Sequence, residues 1–330
     1  MNSETKTDAV KEGLNNYFSG FRIVDCTVQN RTHFYFVANK VYRDEEGQEA
    51  TDQPVDGDKR VIRVIISKEP WAIVKSNLNN YVRPIYCEMT YPQDAIAVID
   101  LEGSPFYGDI RSQPQILPAA KGGPRNGGVT RIRPIGKSNL VMITTGRDVL
   151  IREGDQKWAR IGSAFVRNFE TYEGFSDFDG FSLEEIYAVG GNGGVFKFDG
   201  NSWRQLEFPT NIGVSSVCCG GDSHVYVGAG TGRIYRGKDD QWELIHDDEI
   251  ALPYRDMVWH QDCLWCCNDF GIWQFKDGKP VHDLPAGIGS CCGHLSVRDG
   301  VLLTAGFGGA AWLDNDDQWH TLFLFDDLQE

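Results

Sequence analysis

Gly228-Ala229-Gly230-Thr231-Gly232 has the look of a phosphate-binding loop. A dinucleotide site needs a strand, such a loop, and then a helix whose N-terminus faces the pyrophosphate. Here Arg233-Ile234-Tyr235-Arg236 follows, a second strand pattern, and comparable Gly-rich turns recur at Gly190–Gly194 and Gly306–Gly309. The stretch therefore reads as a hairpin turn. Cys263-Leu264-Trp265-Cys266 has the spacing of half a zinc site, but an i, i+3 pair on a strand diverges and no second CxxC exists. The adjacent pairs Cys218-Cys219, Cys266-Cys267 and Cys291-Cys292 point to opposite faces of their strands, so the nine cysteines read as free, buried thiols. His33, His224, His246, His260, His282, His294 and His320 show no HxH or HExxH spacing, and no GxSxG elbow is present. We expect no metal, no cofactor and no catalytic set, with a triad assembled from distant strands left open.

The elements that hold these residues repeat. Phe196, Tyr235, Trp273 and Trp312 are spaced 39, 38 and 39 apart, with Ile151 at the same place 45 residues before Phe196. Seven residues after each comes Trp158, Trp203, Trp242, then Pro280 as the exception, then Trp319. Before each lies an apolar strand pattern: Leu140–Ile143, Ile186–Val189, Val225–Val227, Leu264–Cys267 and Leu302–Ala305. A period near 39 built from short strands defines an all-β fold, a β-propeller of radially repeated four-stranded units. Seven four-stranded blades are expected, although six or eight would also fit because residues 1–120 hide the period. Residues 1–15 read as a flexible N-terminal lead and 16–330 as one propeller domain. An acidic loop at about 43–60 interrupts the first blade, and a Gly-rich loop spans about 119–128. The ring is expected to close by a blade completed from both termini, the run from Phe18 to Val28 either starting the first blade or edging the last.

This alignment places charge near the central channel. Arg131, Arg133, Asp177, Asp179, Arg255 and His294 fall on innermost strands, with Ser216, Cys218 and Asp256. They would either hold a ligand or pair with one another across the axis. The two faces differ. The turns between first and second and between third and fourth strands collect acid, from Glu184 and Asp199 through Asp222, Asp239, Asp262, Asp277 and Asp299 to Asp317. The opposite face collects apolar side chains, with Tyr172, Phe175, Tyr254, Phe270 and Phe307 the candidates for protein binding, alongside Phe165 and Leu252. Aromatic side chains on loops of a rigid scaffold suit a protein interface; the alternative is that several cap the blade interfaces.

A formal charge of −15 argues against binding nucleic acid through phosphates and favours a basic protein partner. No apolar run approaches the roughly 18 residues of a membrane span, and the polar start lacks an apolar signal core, so no membrane association is expected and the expected compartment is the cytoplasm.

In order and residue type, Ile186-Tyr187-Ala188-Val189-Gly190-Gly191, Val195-Phe196-Lys197-Phe198-Asp199, then Trp203 and Leu206 resemble a kelch repeat. The resemblance spans roughly residues 129–320; the period is shorter than kelch repeats usually have, most copies lack the second Gly, and no Gly-His to Trp-Asp signature of a WD40 protein is present. In acidity and in lacking a catalytic set, the chain is similar to bacterial immunity proteins that cover a basic toxin domain. That resemblance implies a non-catalytic, protein-binding propeller. A propeller hydrolase or lyase working in the channel, and a scaffold subunit of a larger assembly, are the rival readings.

Overall fold

A computed structural model describes residues 8–54, 56–78, 81–82, 85–90, 95–108, 127–137, 140–154, 157–162, 174–247, 252–281 and 284–328. Seven antiparallel sheets stand around one axis, making a seven-bladed β-propeller. Six have four strands, and the second has three among the described residues. The blades span 21–77, 85–108, 129–160, 177–205, 214–246, 256–281 and 293–324. Their innermost strands are Phe21–Asn30, Ile85–Met89, Val129–Pro134, Asp177–Ser182, Val214–Cys219, Asp256–His260 and Gly293–Arg298. Each packs beside the next, and the seventh packs beside the first.

The repeat has a simple physical basis. Second strands such as Leu140–Thr144, Val225–Ala229 and Cys263–Asn268 are buried along their whole length, because sheets pack against both of their faces. Outer strands such as Gln241–His246 have no buried residue, being exposed or half-buried throughout. The 39-residue marker, Phe196 to Trp312, falls on the third strand of blades 4 to 7, and the position seven residues on, Trp except for Pro280 in blade 6, falls on the fourth. Trp203 donates its indole N–H to the Ile161 carbonyl of the preceding blade at 3.0 Å, and Trp242 stacks edge-on against Phe208 from the connection between blades. These tryptophans sit at blade interfaces, as their period implies. Gly230–Gly232 is a tight turn between two antiparallel strands of one blade, with Thr231 and Gly232 at positive φ, so the Gly-rich stretch is a hairpin.

Ring closure differs from the expectation. Blade 1 is built from N-terminal strands alone and blade 7 from C-terminal strands alone, so no blade is shared between the termini. Residues 8–15 of the expected flexible lead belong to a helix, α1 (Asp8–Phe18), which does the joining instead. Val10, Leu14 and Phe18 lie on one helical face and are buried in a cluster drawn from blades 1 and 7. The Phe18 ring lies 5.5 Å from Phe36 of blade 1 and 4.3 Å from Phe323 of blade 7. Gly20, at φ +72°, turns the chain from the helix into blade 1, a conformation that favours glycine. The acidic stretch forms the connection between the second and third strands of blade 1. The Gly-rich stretch at about 119–128 falls almost wholly outside the described residues.

Candidate functional site

An innermost strand is an edge strand, so its outward N–H groups face the channel without a ladder partner. Side chains of the preceding blade supply the acceptors. The Cys87 N–H donates to Asp25 Oδ2 at 2.8 Å, and the Leu295 N–H to Asp256 Oδ2 at 3.1 Å. Val217 and Cys219 donate likewise to Asp177 at 2.9 Å and Asp179 at 2.8 Å. Where blade 7 meets blade 1, the Val28 N–H donates to Ser296 Oγ at 3.1 Å. Buried acids on these strands are thus latches between consecutive blades.

The charges they carry are paired across the axis. Arg131 of blade 3 forms an ion pair with Asp256 of blade 6 and lies 3.6 Å from Asp177 of blade 4. Arg133 reaches Asp177 at 3.1 Å and Asp256 at 3.8 Å. Burial alone would raise the Asp256 carboxyl, but the Arg131 guanidinium beside it holds it below the ordinary range. Burial raises Glu88, Asp177 and Asp179, and pushes Asp25 up to about 7. Burial also pushes the His294 imidazole down to about 3, so it is neutral near pH 7. Among the described residues, no group of three or more His, Cys, Asp or Glu side chains is placed to hold a metal. None of the nine cysteines is in a disulfide, and eight are buried.

The structure brings Arg131, Arg133, Asp177, Asp179 and His294 together in the channel. Arg255 is half exposed and makes its ion pair outside this network, with Asp269 on a turn of its own blade 2.7 Å away, although its charge still acts on His294. Asp25 and Glu88 line the channel although the sequence alignment did not place them there. Their signal was a lone acid inside an apolar strand, in Val24-Asp25-Cys26 and Cys87-Glu88-Met89. Toward the turns between first and second strands, the channel widens into a cavity of about 280 Å³ lined by Glu88, Arg131, Arg133, Asp179, Trp259 and Arg298.

On the opposite face, the aromatic candidates separate into two kinds. Phe175 and Tyr254 are 1% and 0% exposed, packed against Phe196 and Trp273 at 5.4 and 5.3 Å, so they seal blade interfaces and offer nothing to a partner. Tyr172 lies outside the described residues. Phe270 and Phe307, at 76% and 51%, stand out on the turns between second and third strands of blades 6 and 7, and Leu252 is also exposed. Phe175 and Tyr254 occupy the connections between blades, where the chain dives toward the channel; Phe270 and Phe307 occupy hairpin tips, where it cannot.

The fold is that of a β-propeller, and two comparisons with solved structures agree. A WD40 propeller domain of Doa1 is 8% identical, with a TM-score of 0.62, over 91% of this chain and 92% of that one. YCF48 from Cyanidioschyzon merolae is 10% identical, with a TM-score of 0.61, over 89% and 95%. At these identities the likeness concerns the fold alone. No family model matches the sequence. Immune protein Tsi7 of Pseudomonas aeruginosa is 32% identical over 160 residues, 47% of this chain and 52% of Tsi7. The matched region spans about half the length of that curated relative.

Proposed function

We propose that this chain is an immunity protein that binds a toxin domain and neutralises it by covering it. The observation that carries this reading is the 32% identity to Immune protein Tsi7. The channel supports it from the other side: the Arg131 and Arg133 guanidinium groups are engaged by carboxylates, and Asp177 and Asp256 serve as latches between blades. The net charge of −15 supports a basic partner, because opposite charges accelerate encounter. Nine free cysteines fit a reducing compartment, so the proposed site of action is the cytoplasm.

The test is co-expression of the full chain with the product of the adjacent gene. Restored growth, and a complex of the two purified proteins whose association slows as salt rises, are the expected results. Failure of the neighbouring product to bind, together with turnover of a small molecule that D179N abolishes, would replace this reading with a hydrolase or lyase acting in the channel. A stable complex with several non-toxic proteins would favour the scaffold subunit.

A further inference from the structure

Turn acids between first and second and between third and fourth strands are built into their turns. Asp239, Asp262, Asp277, Asp299 and Asp317 occupy positive-φ positions, where Asp is tolerated better than most side chains. Asp199 Oδ1 accepts the N–H groups of Asn201 and Ser202, and Asp314 Oδ1 those of Asp316 and Gln318. Cations are nearby as well: Lys197 lies 2.7 Å from Asp239 and 2.9 Å from Glu185, and Arg204 lies 3.0 Å from Asp240.

The loop at 41–58 is different. It carries Asp44, Glu45, Glu46, Glu49, Asp52, Asp56 and Asp58 against one basic residue, Arg43, and all seven acids are exposed. It connects the second and third strands of blade 1, which puts it on the same face as Phe270 and Phe307, not on the face of the turn acids. Its shape is fixed from within. Asp44 Oδ1 accepts the N–H groups of Glu46 and Gln48, Gln53 brackets Tyr42 through both backbone groups, and the Tyr42 hydroxyl accepts the Asp58 N–H. One bridge ties it to the aromatic anchor: Glu49 pairs with Arg22, and the Arg22 guanidinium lies over the Phe307 ring, 4.4 Å from its centre. A groove of about 280 Å³ runs between them, bordered by Arg22, Val41, Glu49, Phe307, Phe325 and Asp326.

We infer that this face, the acidic loop of blade 1 beside the exposed rings of Phe307 and Phe270 on blades 7 and 6, is the docking surface, and that it takes a basic protein segment bearing apolar side chains. The inference rests on the protein-binding reading above and adds where the partner sits. The charge argument selects the occupant: Asp44, Glu49 and Asp58 have partners within the fold, but the carboxylates of Glu45, Glu46, Asp52 and Asp56 are exposed and cap no turn, so they attract Lys and Arg, while the two rings give apolar side chains a place to lose water.

The experiment uses the full chain and two variants with the same change in charge. One neutralises the loop, E45Q/E46Q/D52N/D56N; the other neutralises the opposite face, D262N/D277N/D316N/D317N. Two probes are used: the toxin domain from the adjacent gene, and a short synthetic peptide alternating arginine and leucine. Association should slow about tenfold or more for the loop variant and less than about twofold for its counterpart. F270A/F307A should release the toxin about 30-fold faster, the level of a hot spot, with the same association rate. Equal losses in the two charge variants, a greater loss in the second, or no binding of the peptide would overturn the inference. If the toxin domain does not bind but the peptide discriminates as expected, the docking face stands and the immunity reading falls. Self-association of the chain that F270A/F307A abolishes would make the face a contact between copies and overturn the basic-partner inference.

Discussion

The channel and the face around Phe307 both gather charge from several blades, yet they use it in opposite ways. In the channel, Asp177 and Asp256 are 1% and 0% exposed, and each meets a guanidinium from blade 3 and a backbone N–H from the next blade. Desolvated charge is tolerated there because it is paired and hydrogen-bonded. On the loop of blade 1, Glu45, Glu46, Asp52 and Asp56 are in water, where an unpaired carboxylate costs nothing in stability and keeps its long-range field. The same residue type is thus structural in one place and available to a partner in the other. Burial decides which.

That contrast can be broken by substitution. The largest effect is expected from R131M, which leaves Asp256 and Asp177 buried with only Arg133 to oppose them. Unfolding in denaturant should show a loss of about 3–5 kcal/mol, much of it recovered in R131M/D256N, because removing both partners leaves no orphaned charge. An R131M midpoint equal to that of the parent would mean the channel charges are solvated after all.

Next comes F18A, which empties the joint between blades 1 and 7. A loss of about 3–4 kcal/mol is expected from a fully buried Phe. A change under about 1 kcal/mol, within the range of surface substitutions, would show that α1 does not hold the ring shut.

Asp25 sharpens the comparison through pH. Its folded value of about 7 lies above the ordinary value of 3.8, so the folded state holds the proton more tightly. Between about pH 4 and 7 the unfolded chain ionises first, and this group's contribution to stability falls as pH rises. Relative to D25N, the wild type should lose up to about 4 kcal/mol across that window and level off above it. Melting curves of both proteins from pH 4 to 8 measure the difference, and parallel profiles would remove Asp25 from the account.

The smallest effect on stability is expected from F270A. Its ring is mostly in water, so the denaturation midpoint should move by no more than about 0.5 kcal/mol. A larger loss would return Phe270 to the packing role that Phe175 and Tyr254 have.

Much of the architecture was legible in the sequence because a propeller writes its period into the chain. Phe196, Tyr235, Trp273 and Trp312 recur because each third strand meets the same neighbours. Blade 1 hides that period: its long loop pushes Lys59–Ile65 far from His33–Lys40, although the two strands pair in register. Its Asp25 was missed as a channel residue for that reason, and Glu88 of blade 2 was missed because the period is also weak there. Arg255 lies near enough to act on His294, but its guanidinium pairs with Asp269, a choice of partner that spacing along the chain does not reveal. For Phe175 and Tyr254 the sequence left both a binding role and capping of the blade interfaces open, because composition cannot tell a loop that projects from one that dives between blades.

Taken alone, the sequence determined the strand period, the turns and the free thiols, since these depend on residues close together in the chain. It also determined the net charge, which is a sum and needs no geometry. The tertiary structure alone decided which acids face each other across the axis, which rings are buried, and how the ring closes. Arg131 and Asp256 are 125 residues apart in the chain, and nothing local links them. Phe18 meets Phe323 only because seven blades complete a circle. The acidic loop shares a face with Phe270 and Phe307 for the same reason: a turn's face is set by its place between strands, and its neighbours are set by the ring.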